Sequence, residues 1–448
     1  MSSIDLGIAA LYVAGILGVG FAVSRRITGF RDYMLAGEAM SAPVLVCTLV
    51  STYYGLDVLF GNSEVGFLEG VVGWFFYTRP YYLAVVLAAL LVARRIRGRD
   101  FISLPDVAGR AYGRGTQATI ALASFVYSLP LLALMGIGVL LDVVLGVPFA
   151  WGVVIGAVLS IAYTLMGGLT ADAITDTVQF FLMCVTLGVA AALALDGVGG
   201  VESLRTALPA SYFDPRGTYP LAVLLVWSLG ALSVLVEPAF YQRILAARSH
   251  RTILAALAMG VVLWAAFDWI STLLGMVAQA RGLVAEPRYA LLTLTIEVLP
   301  VGLTGLFVAG VIATAMSTID SYLLIAGGNL SYDLYRPLRR PGIGDAQLLT
   351  LTRWMIVVAG IVSVGFALVF PTIVSAWVFM ASVLVSAALV PIMAALYLPP
   401  SWTRPAAGLA ASWAGLAACL AVYAVVAVMG ADDPEWGTRI WRFTLRGA

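Results

Sequence analysis

Four hydroxyl side chains and one carboxylate lie within eight residues of a strongly apolar region, in the stretch ATAMSTIDS. The hydroxyls follow the i, i+3, i+4, i+7 spacing that places side chains on one helix face, and the carboxylate borders that face. The five residues are Thr314, Ser317, Thr318, Asp320 and Ser321. A carboxylate in the middle of a membrane helix raises the insertion free energy by about 2.5–3.5 kcal/mol, so such a residue usually has a binding partner or a function. These hard oxygen ligands suit an alkali cation, whereas a single hydroxyl more often bonds within its own helix or to a neighbouring one.

Two further polar clusters interrupt apolar segments. In GGLTADAITDTVQFF, Asp176 and Gln179 open a helix just after a Gly-Gly turn, and Asp172 fits the first turn, where the helix dipole favours a carboxylate. In STYYGLDVLFGNSEVG, which begins at Ser51, glycine and hydroxyl residues weaken the helix. A break there would free backbone carbonyls, which coordinate a cation only where they line a cavity.

Three charged residues lie in apolar segments where an organic solute could bind, namely Asp57, Arg79 and Glu237. Pro238 follows Glu237 directly, so we expect the helix to be interrupted there. Arg79 has two interpretations, as an ion-pair partner of Asp57 or as a bidentate anchor for a solute carboxylate. The Glu237 carboxylate could bind an amine of the solute or pair with an arginine of the protein. If Arg79 and Glu237 both contact the solute, the solute is a zwitterion such as an amino acid.

Aromatic residues near these charges are candidates to close over the solute. Tyr53 and Tyr77 come first and Trp377 follows, although aromatic residues at helical spacing more often pack against one another. Asp268, in WAAFDWIS, is also mid-helix, and the sequence assigns it no role beyond an unidentified partner.

The elements that must position these residues are membrane helices. Of the 448 residues 62% are hydrophobic and 11% are charged, which is more apolar surface than a soluble protein of this length can bury. Apolar runs long enough to cross a bilayer predict an all-α membrane protein with about twelve transmembrane helices. The runs lie at 4–24, 41–61, 72–96, 117–146, 149–167, 172–196, 218–242, 252–281, 300–330, 350–370, 371–398 and 405–430.

The arginines orient these helices. The chain has no lysine, and seventeen of its 25 basic residues, Arg243 among them, fall in one set of loops while seven fall in the other. The positive-inside rule then places both termini outside the cell. We expect a multi-pass protein of the plasma (inner) membrane whose first apolar run is retained as a helix.

Other features exclude several function classes. A net charge of +1 gives no case for a nucleic-acid partner. The three cysteines, Cys47, Cys184 and Cys419, lie far apart in apolar runs and suggest neither a disulfide framework nor a metal site. A single histidine, His250, excludes a histidine metal cluster. We expect no organic cofactor, and the sequence does not indicate the oligomeric state.

The order and content of these motifs resemble the sodium:solute symporter family. The matching pieces are YMLAGEAMSAP, the glycine-broken second helix, ISLPDVAGRAYG, GGLTADAITDTVQ, EPAFYQRILAARS, and AGVIATAMSTIDS followed by YDLYRP. The resemblance implies a LeuT-type fold, a 5+5 inverted repeat within a single transmembrane transporter domain over 1–448. Its repeats would occupy 41–196 and 218–398, with an extra N-terminal helix at 4–24 and an extra C-terminal helix at 405–430.

The resemblance also implies a principal sodium site. By position in the motifs, Ser51 and Tyr54 would supply carbonyl oxygens from the broken helix and Thr314 would supply another. Ser317 and Thr318 would supply hydroxyls.

Some family members hold a second sodium ion with the aspartate of the TDxxQ motif. The corresponding set here is Asp176, Ser317, Asp320 and Ser321. The family often has Ser or Ala at position 320, so the aspartate in this chain suits either a second cation or a proton, and the sequence does not choose between them.

The expected function is therefore import of a small organic solute with Na⁺ by alternating access, with the solute an amino acid or another carboxylate or zwitterion, and no enzymatic activity. One alternative is a transporter-like sensor or receptor that acts through a partner. Another is a Mg²⁺-dependent intramembrane prenyl-diphosphate enzyme, which would use the D-x-x-x-D pair of Asp172 and Asp176.

Overall fold

The chain folds into helices. A computed structural model describes residues 2–24, 29–97, 99–217, 221–283, 286–370 and 373–432. The helices of the apolar segments are α1 (Ser3–Ser24), α2 (Ala42–Tyr53), α3 (Leu56–Glu69), α4 (Gly73–Ile96), α5 (Arg114–Tyr127), α6 (Leu131–Leu145), α7 (Phe149–Gly197), α8 (Leu221–Leu229), α9 (Pro238–Ala246), α10 (His250–Arg281), α11 (Leu303–Gly328), α12 (Asp345–Val369), α13 (Ile373–Tyr397) and α14 (Pro405–Asp432). Further short helices lie between them at Phe30–Leu35, Leu104–Tyr112, Gly200–Ala207 and Ala290–Val298.

The all-helical prediction is confirmed, and the number of spans depends on how broken helices are counted. Among the described residues nine helices are long and apolar enough to cross a membrane, and the bent pair of α2 and α3 makes ten. The predicted total of about twelve differs from this number for two reasons. The runs at 149–167 and 172–196 are two helices joined across the kink at Gly168 and are counted together as α7, and the run at 218–242 is divided between α8 and α9, neither of which is long enough to be counted.

The second span is broken where the sequence places Tyr54 and Gly55. Helix α2 ends at Tyr53, α3 begins at Leu56, and the two helices are bent by 53°. Tyr54 leaves the helical conformation (φ −93°, ψ 57°), and Gly55 is extended. The last four carbonyls of a helix have no partner within it, so this break exposes acceptors inside the protein.

A second break separates α8 from α9. A 3₁₀ segment at Gly230–Val236 follows α8, and Glu237 is extended (φ −74°, ψ 119°) before Pro238 starts α9. The predicted interruption therefore occurs where expected. A residue before proline is pushed out of the helical region, and proline is favoured at the first helical position. The Glu237 carboxylate then caps α9 by accepting the Phe240 N–H at 2.6 Å.

Helix α7 contains the turn predicted after position 167. Gly168 has φ 51° and ψ −161°, a conformation that side chains with a Cβ rarely adopt. A Cβ at this position would also lie 2.5 Å from the Tyr33 ring. The change of direction separates the first half of α7 from the half that carries Asp172 and Asp176.

Helix α11 is held in the middle of the molecule. It packs against α1, α2, α7 and α12. The Asp5 carboxylate of α1 accepts the N–H groups of Gly302 and Gly305 at 2.7 and 2.9 Å, which satisfies donors at the start of α11. The hydroxyl-rich face of α11 is thereby fixed opposite the break between α2 and α3.

Candidate functional site

The break in the second span meets the hydroxyl face of α11. The Ser317 Oγ donates to the Ser51 carbonyl at 2.9 Å, and the Thr318 Oγ1 lies 3.2 Å from the Thr52 carbonyl. Both hydroxyls also reach the Thr314 carbonyl, at 3.0 and 3.2 Å. All of these side chains are buried. Carbonyls freed by a helix break and two hydroxyls thus converge on one point between α2 and α11.

This arrangement fits a sodium ion. A cation requires several oxygen acceptors without a competing donor, and here each hydroxyl can turn its lone pairs toward an ion in place of its hydrogen. Ser51, Thr314, Ser317 and Thr318 are brought together as the sequence predicted. Tyr54 occupies the break itself and is fully buried, with its phenol bonded to the Phe267 carbonyl at 2.8 Å.

A cluster of buried acids lies beside this point. The Asp176 carboxylate accepts the Thr48 hydroxyl, and the Asp176 carbonyl accepts the Ser51 hydroxyl at 3.0 Å. The Asp320 Oδ1 accepts the Thr164 hydroxyl at 3.0 Å. The Asp176 Oδ1 and the Asp320 Oδ2 are buried and have no hydrogen-bond partner among the described residues. The second predicted site is therefore close to the first, with two carboxylate oxygens available to a cation.

Arg243 belongs to this cluster, contrary to the prediction that it lies in an inner loop. Its side chain is fully buried on α9, and its Nη2 lies 3.1 Å from the Asp172 Oδ2 and 2.6 Å from the Thr52 Oγ1. It also donates to the Ser321 hydroxyl, which itself donates to Asp172 at 2.6 Å. The apolar run was predicted to end at 242, whereas α9 continues to Ala246.

The same contacts oppose the magnesium interpretation of the D-x-x-x-D pair. Asp172 is bound to Arg243, and Asp176 is bound to Thr48. Within the described part of the chain, no group of three or more His, Cys, Asp or Glu residues is arranged to hold a metal ion.

A cavity of about 160 Å³ opens next to the sodium candidate. Thr52 and Thr318 line both features, so a bound ion and a bound solute would be neighbours. In the described lining, eight of the other twenty residues are aromatic. The aromatic lining residues are Tyr53, Tyr54, Tyr81, Tyr82, Tyr127, Trp264, Tyr322 and Trp377.

Two buried carboxylates face this cavity. The Glu237 carboxylate accepts the phenols of Tyr53 and Tyr322, the latter at 2.9 Å. The Asp268 carboxylate, for which the sequence assigned no partner, accepts the Asn62 amide at 2.7 Å and the Tyr82 phenol. The described lining contains no arginine, lysine or histidine. The described wall therefore combines aromatic rings, aliphatic side chains and two carboxyl groups.

The structure places the predicted solute contacts in two groups. Tyr53, Glu237 and Trp377 line the cavity. Arg79 does not, since it is exposed and its guanidinium carbon lies 5.7 Å from the centre of the Phe75 ring.

The side chains of Asp57 and Tyr77 lie outside the part of the structure that is described. Their predicted roles, and the predicted pairing of Asp57 with Arg79, stay predictions.

Comparison with known proteins gives the family and the fold of the chain. The sodium:solute symporter family model matches residues 33–415. The high-affinity proline transporter PutP of Bacillus subtilis (strain 168) is 26% identical over 379 residues, which are 79% of this chain and 78% of that protein. The high affinity choline transporter 1 of Homo sapiens is 24% identical over 353 residues, which are 74% of this chain and 60% of that protein.

A solved structure shares the fold. A Na⁺-coupled sialic acid symporter, in a substrate-bound outward-open state, matches with a TM-score of 0.79 at 17% identity over 100% of this chain and 96% of that one. The chain thus has a LeuT-type fold. It is a transporter rather than an enzyme, and it is a multi-pass membrane protein. The chain belongs to the sodium:solute symporter family and is a Na⁺-coupled symporter of a small solute.

Proposed function

We propose that the coupling sodium ion binds between the break in the second span and α11. Its ligands are the carbonyls of Ser51, Tyr54 and Thr314 and the hydroxyls of Ser317 and Thr318. The observation that carries this proposal is the direct bonding of both hydroxyls to carbonyls of the broken helix, at 2.9 and 3.2 Å. An ion at this point replaces those hydrogen bonds and joins the same two elements.

This position allows sodium to drive the solute inward. An ion that bridges α2 and α11 stabilises the state in which they are close, and differential binding to two states is what shifts their equilibrium. Each positive charge that moves inward gains about 2.3 kcal/mol per 100 mV of membrane potential. The sharing of Thr52 and Thr318 by the ion site and the cavity supports a direct link between the two bound species.

The solute is proposed to be a small organic cation with an ammonium group. The carrying observation is a cavity lined in part by eight aromatic residues, with two buried carboxyl groups, Glu237 and Asp268, and no cationic side chain in its described lining. Aromatic faces attract cations, and cages of this composition suit quaternary or primary ammonium groups. The choline named for the human relative has such a group.

A zwitterionic amino acid is the second candidate. Arg79, the predicted anchor for a carboxylate, lies away from the cavity. A sodium ion beside Thr52 and Thr318 would supply the missing positive charge at the cavity wall, and the ammonium group would still face Glu237. The proline named for the Bacillus relative belongs to this class.

The acids Asp176 and Asp320, with Ser317 and Ser321, are proposed as a second cation site. The support is one buried oxygen without a partner on each carboxylate. A buried pair of acids needs compensating positive charge, which a sodium ion or a proton supplies.

We place the protein in the plasma (inner) membrane with both termini outside. The support is the asymmetric distribution of arginines between the two sets of loops. Cysteine labelling from outside intact cells, at single cysteines introduced into a cysteine-free variant, tests this orientation.

Uptake into proteoliposomes tests the proposed solute class. In a panel of ammonium, zwitterionic and carboxylate compounds, we expect the ammonium compounds to show the strongest sodium-driven accumulation. The variant Glu237→Gln should lose this uptake, whereas Glu202→Gln, which alters an exposed carboxylate outside the cavity, should not. Accumulation of simple carboxylates in preference to ammonium compounds would contradict the assignment.

A further inference from the structure

The buried ion pair between Arg243 and Asp172 links several elements at the acid cluster. Arg243 is on α9 and Asp172 is on α7, and their side chains are 0% and 3% exposed. The guanidinium also donates to Thr52 on α2 and to Ser321 on α11. One arginine is thus bound at a single place by groups from three other helices.

The pairing is selective among the acids of this cluster. The charges of Asp172, Asp176 and Asp320 are close enough to interact. In the described structure, however, Arg243 forms an ion pair within 4.0 Å only with Asp172. The Asp172 Oδ1, the Asp176 Oδ1 and the Asp320 Oδ2 have no hydrogen-bond partner among the described residues. The guanidinium therefore binds one acid directly, reaches Asp176 only by charge and through the Thr48 hydroxyl, and leaves the unpaired oxygens of Asp176 and Asp320 available to a further cation.

A guanidinium competes directly with sodium for carboxylate oxygens. It has the same charge, and its planar array of donors matches a carboxylate well. Arg243 also bonds to Thr52, whose carbonyl lies at the principal sodium site, so the guanidinium is at close range of both proposed ion sites. The carboxylate with which Arg243 pairs therefore decides whether the guanidinium stays outside the two proposed ion sites.

We propose that Asp172 is a positioning residue for ion coupling: it holds the Arg243 guanidinium away from Asp176 and Asp320 and so keeps these two carboxylates available for the second cation. This inference rests on the second cation site proposed above. It also gives Ser321, a member of the proposed second cation site, the further role of supporting the Arg243–Asp172 pair, since its hydroxyl accepts from the guanidinium and donates to Asp172.

Sodium dependence of uptake in four variants tests this role. In Asp172→Asn the guanidinium loses its partner and turns to the other acids. We expect the half-saturating sodium concentration to rise about tenfold to a hundredfold, the effect of a unit charge roughly 6–12 Å away at an effective dielectric of about 20. The Hill coefficient for sodium should fall, while the KM for solute at saturating sodium stays within about twofold of the original.

The other variants separate competition by Arg243 from damage to the fold. Asp172→Asn combined with Arg243→Gln should restore sodium affinity, because the competing charge is gone. Asp172→Glu, which retains the carboxylate, should retain the original sodium affinity. If Asp172→Asn does not yield folded protein, Arg243→Gln and the double variant decide, since both should bind sodium at least as tightly as the original protein. Loss of sodium affinity in the double variant, or unchanged sodium dependence in Asp172→Asn, would overturn the proposal.

Two further variants distinguish failure of this inference from failure of the site on which it rests. Asp176→Asn and Asp320→Asn should each weaken sodium activation if their carboxylates bind the second cation. If both leave it unchanged, the second cation site is wrong and Asp172 has no cation site to protect. If both weaken it while Asp172→Asn does not, the site stands and the positioning role is refuted.

Discussion

Replacement of Ser317 by alanine removes one hydroxyl from the proposed sodium site with little change in volume. In the structure this hydroxyl contacts the Ser51 carbonyl at 2.9 Å and the Thr314 carbonyl at 3.0 Å. Hydrogen bonds between neutral groups in membrane proteins average about 0.6 kcal/mol. An interaction with a charged group is worth about 1.5–3 kcal/mol. The variant should therefore lose more free energy with the ion bound than without it.

The expected result is a rise of about 10- to 150-fold in the half-saturating sodium concentration, which corresponds to that charged interaction. Solute uptake into proteoliposomes, measured against sodium at fixed solute, gives this value. The KM for solute at saturating sodium should change much less, because Ser317 does not line the cavity.

Ser331→Ala is the matched control. Ser331 is also buried, one segment beyond α11, and its hydroxyl makes two similar contacts, with the Gly327 carbonyl at 2.7 Å and the Thr352 hydroxyl at 2.7 Å. It should leave sodium activation unchanged. If Ser317→Ala and Thr318→Ala both match this control in their sodium dependence, the reasoning about the principal site is refuted.

Three other substitutions test separate parts of the account. Glu237→Gln should raise the KM for an ammonium solute at least about tenfold, since charged hydrogen-bonded contacts are worth about 1.5–3 kcal/mol, and an unchanged KM would remove Glu237 from the solute site. Arg79→Gln should leave solute affinity within about twofold, because exposed ionic contacts contribute little, and loss of uptake for carboxylates alone would restore Arg79 as their anchor. Asp100→Asn should shift Tm by no more than about 2 °C at pH 7, since solvent screens the exposed ion pair between Asp100 and Arg31. Hydrogen bonding and charge from Arg31 lower the pKa of Asp100, so the small stabilisation from this carboxylate is present above the ordinary aspartate range and is lost as pH falls through the lowered pKa. If Asp100→Asn lowers Tm at pH 7 by more than about 2 °C relative to its effect at pH 3, the screening argument is contradicted.

The helices follow from local features of the sequence, whereas the ligand set of the proposed principal ion site follows from the resemblance to the family. Hydropathy located the spans because a helix in lipid must be apolar over its length. Glycine, hydroxyl and proline positions located both breaks, at Tyr54–Gly55 and at Glu237. The spacing of Ser317 and Thr318 placed them on one face, and the structure brings that face to the break. The boundaries of the two five-helix repeats remain a prediction.

The acid cluster and the cavity wall depend on contacts between distant segments. Asp172 and Arg243 are 71 positions apart and form a pair that no local pattern indicates. Asp268 likewise finds its partners on α3 and α4. Hydropathy also ended the seventh run at 242, one residue before Arg243. An arginine within two helical turns of a predicted helix break is nevertheless a sequence signal for a buried ion pair.

The most direct test of the central claim is a high-resolution density map of the protein in sodium, compared with one in a sodium-free buffer. We predict a density peak coordinated by the carbonyls of Ser51, Tyr54 and Thr314 and by the hydroxyls of Ser317 and Thr318, present only with sodium. A peak elsewhere, with both hydroxyls still bonded to the carbonyls of Ser51 and Thr52 in sodium, would contradict it.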